Sequence, residues 1–176
     1  YIPPVKWEDR AKTISGIFGD TWPIRREICD ILKGVVIDGT TLECNTGNHD
    51  YDYKGHLEHL ASVQAGLVLR GWGIDTYRHY EVPACGAATF RMKDSLIRPN
   101  DFTDGRNAII FETADQLITD LKFYFTHPDE LRVIAEEGKA HLLQYHTSVA
   151  RAAYFLDIVE RKLGLRRETA LSQSYA

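Results

Sequence analysis

Arg78 and Glu81 stand three residues apart, shortly after a glycine turn, Gly71-Trp72-Gly73, and just before the β-type run Ala87-Ala88-Thr89-Phe90. On a helix that spacing places a cation and a carboxylate on one face. Glycines let a backbone approach a ligand closely, and the free amides at a helix start favour an anion. Behind a glycine turn, such a pair suits a bound nucleotide diphosphate. The same spacing also describes an ordinary surface ion pair, which is common and weak. Asp75 or Thr76 is the natural amino-terminal cap of the helix.

Two further positions have residues of the right type. Gly19-Asp20-Thr21 precedes Arg25 and Arg26, and a guanidinium there is able to meet phosphate oxygens bidentately. Against that stands a simpler reading, in which two arginines in a first helical turn are solvated. Thr103-Asp104-Gly105 is the third, and Asp-Gly favours a turn whatever the function. His49, His56 and His59 lie near Asp50 and Asp52, without the ligand spacing of a known metal motif, so a polar loop and helix face is the expectation and no metal site is assigned. His79 is expected to pack or face solvent, and His127, His141 and His146 to cap or cover the terminal helices. Cys85 reads as a small buried thiol, not a nucleophile.

These groups must be carried by regular elements. Residues 13–18 have the β-branched and apolar content of a buried strand, and Ile24, Ile28, Ile31 and Leu32 recur at helical spacing before Gly34. With a second strand at 35–37 this is a β-α-β unit, which favours a parallel sheet with a right-handed crossover. Residues 39–53 read as an irregular loop. A helix at 56–62, a strand at 65–69, a helix at 76–85 and strands at 87–90 and 108–111 continue the alternation. Helices at 114–126, 128–146 and 148–163 close the chain, with Pro128 in a first turn and Asp129-Glu130 at the positive end of that helix. The fold class expected is α/β, Rossmann-like and doubly wound, with about six mainly parallel strands and carboxyl-terminal helices. Residues 1–12 read as an arm or linker, 13–166 as the domain and 167–176 as a tail.

Composition narrows the function. A chain of 176 residues with 44% hydrophobic content buries one substantial core. The formal charge of −4 disfavours nucleic acid as a partner. Cys29, Cys44 and Cys85 have neither zinc spacing nor disulfide-scaffold density, so free thiols in a reducing, cytoplasmic setting are expected. No apolar run reaches the roughly 18 residues of a membrane span.

Taken in order, Arg78 to Gly86, Asp104-Gly105-Arg106-Asn107, Ala108-Ile109-Ile110-Phe111, His127-Pro128, Ile134-Ala135-Glu136-Glu137-Gly138 and His146-Thr147 resemble the donor-binding half of spore-protein-type glycosyltransferases. These are a branch of the group 1, family 4-like enzymes of GT-B fold. The resemblance spans residues 13–164. It implies a nucleotide-diphosphate sugar as donor substrate, with no cofactor and no metal, and transfer to an acceptor hydroxyl. The family pattern has an arginine at position 25, and the residues themselves lead to the expectation that Arg25 and Arg78 sit on the leaving diphosphate as the catalytic charges, with Gly19, Gly73, Asp75 and Thr76 against the donor. Glu81 matches the glutamate that accepts from both ribose hydroxyls, a task suited to two carboxylate oxygens. Many relatives carry another glutamate eight residues earlier. Here that position is Gly73, with Asp75 as the nearest substitute.

A GT-B cleft lies between two domains, so the resemblance also implies an amino-terminal acceptor domain in a longer parent chain or a partner subunit. The competing expectation is a noncatalytic module that binds a nucleotide sugar, or a protein partner, on the same fold. A third is an enzyme acting on the nucleotide sugar itself, such as an epimerase.

Overall fold

The computed structural model describes residues 3–46 and 52–165, so the expected tail at 167–176 and the tip of the loop at 47–51 lie outside the described residues. The first strand, β1 (Ala11–Phe18), is buried from Thr13 onward, as a strand covered on both faces must be. Pro23 opens helix α1 (Pro23–Leu32), which turns Ile28, Cys29 and Leu32 inward. Ile31 belongs to the outward side, 39% exposed.

The next segment departs from expectation. Strand β2 (Val36–Ile37) does not join the main sheet but pairs antiparallel with β3 (Thr40–Thr41) in a small hairpin. Asp38 and Gly39 between them have φ of 50° and 76°, the two left-handed positions that a tight hairpin turn requires and an Asp-Gly pair tolerates. The strand that pairs with β1 is β4 (Glu43–Thr46), inside the stretch read as irregular. Its short length and polar residues hid it, although Leu42 and Cys44 are both buried.

Helix α2 (Tyr53–Ser62) begins at Asp52, whose carboxylate accepts from Gly55 N at 2.7 Å. It leads into β5 (Val63–Val68), fully buried, then helix α3 (Arg78–Ala84), β6 (Ala88–Met92) and β7 (Ile109–Phe111). Helices α4 (Ala114–Thr126), α5 (Pro128–Tyr145) and α6 (Ser148–Lys162) follow, with Thr113 and Thr147 capping α4 and α6. Among the described residues the main sheet has five strands, all parallel, in the order β4-β1-β5-β6-β7. The first crossover runs to one side of β1 and the next to the other. The carboxyl ends of β1 and β5 therefore form the switch point of a doubly wound sheet.

Helices cover both faces. Ile28, Leu32, Leu117, Leu121 and Phe125 pack against Leu67, Phe90 and Phe111, while Leu60, Val82 and Ala87 gather around Val68. Leu67 and Val68 point to opposite faces because strand side chains alternate. The segment expected as an arm is tied in: Arg10 is buried and donates to Val63 O at 3.2 Å and Cys85 O at 2.9 Å.

Cysteine usage needs a correction. Cys29 on α1 and Cys44 on β4 are joined as a disulfide, with Cα atoms 5.0 Å apart, and only Cys85 is free. Their pairing depends on the β1-β4 contact, which spacing in the sequence did not reveal.

Candidate functional site

Phe18, the last residue of β1, lies at the switch point, and two guanidiniums approach its ring: Arg25 Cζ at 5.1 Å from the centroid and Arg78 Cζ at 4.8 Å. Such contacts attract a cation to the aromatic face. The two arginines differ in their remaining partners. Arg25 donates to Arg70 O at 2.8 Å, Thr21 Oγ1 at 2.9 Å, Gly19 O at 3.1 Å and Leu69 O at 3.4 Å. It thereby ties the loop after β1 to the loop after β5. Arg26 is exposed and pairs with Asp20.

Arg78 is less committed. Its Nη1 is buried with no hydrogen-bond partner in the structure, and its Nη2 lies 3.4 Å from His56 Nε2. Burial lowers its guanidinium to about 10, an environment in which a bound anion is favourable. Glu81, one turn along α3, is 15% exposed at its side chain and pairs with His56 Nε2 at 3.5 Å. The expected alternative, a surface ion pair with Arg78, is therefore not what Glu81 makes. Burial works against its charge, yet His56, Arg78 and a hydrogen bond from Tyr53 together hold its carboxyl below the usual range.

The loop before α3 also differs from expectation. The helix starts at Arg78, and Tyr77 precedes it with no side-chain cap. Asp75 is not available to cap because it accepts from Arg98 Nε at 3.1 Å and from Tyr80 Oη at 3.0 Å. Thr76 is engaged with His79, whose Nδ1 lies 3.1 Å from Thr76 O. With seven residues and Pro83 inside, α3 is too short to present the extended helix start read from sequence. Gly73 has room for a side chain, since a Cβ there would meet only Asp75 O at 3.6 Å. At the third position, Asp104 Oδ1 accepts from Ile110 N at 2.7 Å, which makes it a turn residue.

Glu81, Tyr53 and Tyr77 line a cavity of ≈ 840 Å³ beside α3, together with Lys139 and Leu142. Tyr53 and Tyr77 are 67% and 85% exposed. His79 is buried and held neutral, lowered to about 4 by burial and by Arg98. The Cys85 thiol is pushed up to about 11, chiefly by burial, which makes it unreactive. Among the described residues no group of three His, Cys, Asp or Glu is placed to hold a metal, and His49 and Asp50 lie outside them. The arrangement offers a cation with spare donors, a carboxylate with spare lone pairs and exposed aromatic rings. That is equipment for binding an anion attached to a polar, planar ligand.

Sequence reasoning brought Arg25, Arg78, Gly19 and Glu81 to one end of the sheet and missed Phe18, Tyr53 and His56. Tyr53 and His56 share a helix face by their spacing, and that was their one visible signal.

The fold and the position of this crevice define half of a GT-B architecture. The chain matches a family model described as glycosyl transferase-like over residues 17–157, and it belongs to that family. Its fold is similar to that of the C-terminal domain of a glycosyl transferase group 1 family protein (LpcC) from Francisella tularensis, at 13% identity and a TM-score of 0.59, covering 82% of this chain and 95% of that one. None of the curated proteins searched matches the chain.

Proposed function

We propose that this domain binds a nucleotide-diphosphate sugar at the carboxyl ends of β1 and β5 and presents it for transfer to an acceptor hydroxyl. The single observation that carries the reading is Arg78. Its guanidinium is desolvated beside Phe18, has a buried Nη1 without a partner, and lies on the same helix as Glu81, whose carboxylate lines a cavity. In this reading Arg78 stabilises the charge that builds on the leaving diphosphate. Arg25 adds its field from behind while holding the two loops. Glu81 accepts from the ribose hydroxyls. The acceptor side belongs to a second domain, in a longer chain or a partner. The apolar side chains that α6 exposes, Val149, Phe155 and Leu156 among them, support a covering neighbour.

Calorimetry with uridine, guanosine and thymidine diphosphates, with and without EDTA, tests binding and its independence of metal. Glu81→Gln should weaken a ribonucleotide by roughly 1.5 to 3 kcal/mol more than its 2′,3′-dideoxy counterpart, the range for a hydrogen bond to a charged group. Equal affinity of the unmodified protein for both forms, or complete dependence on magnesium, would overturn the reading. A noncatalytic nucleotide-sugar-binding role is favoured by one observation: Gly73 offers no side chain and Asp75 is held by Arg98 and Tyr80. Donor hydrolysis by the assembled two-domain protein decides between them.

A further inference from the structure

We propose that a second cavity, at the carboxyl ends of β5 and β6, takes the hexosyl ring of the donor and holds one of its hydroxyls between His79 and Asp94. The inference rests on the reading of Arg78 and Glu81 given above and adds the sugar to it, in a chain whose Gly73 has no side chain to offer.

The cavity has a volume of ≈ 260 Å³, and Val68 and Met92 line it beside Arg70, His79, Asp94 and Ser95. Sites for whole drug-sized ligands run to roughly 300 to 1,000 Å³, so this one suits a single ring. His79 is 3% exposed, and its Nε2 is buried with no hydrogen-bond partner in the structure. A buried polar atom left in that state calls for a partner. Asp94 Oδ2 lies 3.9 Å from it, too far for a direct hydrogen bond and near enough for one hydroxyl to meet both at about 2.8 Å. In the tautomer whose Nδ1 accepts from Thr76 N, at 3.3 Å, the ring proton stands on Nε2. One hydroxyl then accepts from Nε2–H and donates to Asp94 Oδ2. Asp94 retains capacity for it. Among the described residues Oδ1 accepts from Leu96 N and Arg98 Nη1, while Oδ2 accepts from Arg98 Nη2 and keeps a second lone pair.

The lining also decides the ligand class. The Asp94 carboxylate repels a phosphate, and the cations of the cavity are engaged elsewhere, Arg70 over Trp22 at 4.2 Å and Lys93 with Glu112. A neutral polyol is the better fit. A pyranose brings an apolar C–H face for Val68 and Met92 and hydroxyls for Asp94 and His79. The position agrees with the donor: His79 follows Arg78 in α3, and Arg70, whose carbonyl Arg25 holds at 2.8 Å, lines the cavity. Glu81 lines the larger cavity instead, so the ribose and the hexose are read in separate places.

Met92 is the one methionine of the chain, so its isotope-labelled methyl reports on this cavity without assignment. Uridine- and guanosine-diphosphate hexoses should give nuclear Overhauser effects from hexose ring protons to that methyl, and none from ribose or base. Asp94→Asn should weaken the nucleotide hexose by about tenfold to a hundredfold, as for a lost hydrogen bond to a charged group, with the nucleoside diphosphate unchanged. Asp94 also pairs with Arg98, so Ser95→Phe, at an exposed position, supplies a second variant that leaves the fold alone. Its ring should fill the cavity and abolish the hexose contact while the nucleoside diphosphate still binds. A bound nucleotide hexose without contact to Met92, contact from nucleoside protons instead, or a Ser95→Phe protein with the hexose contact intact overturns the inference and leaves the site reading standing. Absence of binding by every nucleoside diphosphate and nucleotide hexose overturns both.

Discussion

A Cβ built on Gly71 falls 2.7 Å from Arg25 Nη2, so the glycine after β5 is where the guanidinium from α1 enters the crevice. That closeness gives Gly71 a reason other than ligand approach. Arg25 uses its fork to gather carbonyls from both loops, and a lysine has no such fork. Arg25→Lys should lose about 1.5 to 3 kcal/mol of stability. Gly71→Ala should lose about 1 to 3 kcal/mol by crowding the same group. Urea unfolding of the two single variants and the double variant checks this. Additive losses would show that the two positions are independent and would refute the contact.

The division between what the sequence showed and what it hid follows contact range. Long apolar runs such as β5 and the helical periodicity of α4 and α5 are local signals, and they placed the sheet and its carboxyl edge correctly. Strand β4 has two buried apolar neighbours in a polar segment, and it exists because β1 offers it a partner. At the site, Arg78 and Glu81 announced themselves by spacing. Their competition for His56 depends on α2 lying against α3, which no local pattern encodes. The loop from Gly71 to Tyr77 misled for a related reason. Asp75 looks like a helix cap until Arg98, twenty-three residues onward, claims its carboxylate.

His79 makes stability depend on pH. Burial lowers its imidazole from the ordinary 6.5 to about 4, so the folded state holds it neutral where the unfolded chain would protonate it. Its contribution is fully present above pH 6.5 and is lost as pH falls toward 4, with a slope of up to about 1.4 kcal/mol per pH unit. Urea midpoints of the unmodified protein should decline between pH 6.5 and pH 5, above most carboxyl titrations. His79→Gln should be less stable at pH 7 and much flatter across that interval. An identical slope in the variant would assign the decline to other groups.

A half-buried ion pair anchors the loop after β6. Arg91 is 5% exposed and grips Asp101 through two hydrogen bonds of 2.7 and 3.2 Å. Burial opposes the Asp101 charge, but Arg91 outweighs it and holds the carboxyl low. Asp101→Asn leaves the buried guanidinium without its counter-charge and should cost about 1.5 to 3 kcal/mol. Changing both residues, Arg91→Met with Asp101→Asn, should recover part of that loss. A double variant no better than the single one would mean that the pair is not the source.

The Cys29–Cys44 bond closes a loop across a sequence separation of 15, from α1 over the β2-β3 hairpin to the edge strand. Gly16 on β1 makes room for it, since a Cβ there would come within 2.7 Å of Cys44 Sγ. A loop of that length restricts the unfolded chain by about 3 kcal/mol, roughly 6 to 12 °C in Tm for a domain of this size. Dithiothreitol should lower the Tm of the unmodified protein by that amount, once mass spectrometry of alkylated protein shows two thiols gained. The double variant Cys29→Ala with Cys44→Ala should melt near the reduced protein and ignore the reductant. Cys85→Ala should retain the full response, because that thiol takes no part. If reduction leaves Tm unchanged, or moves the double variant equally, α1 and the edge strand are held by packing alone.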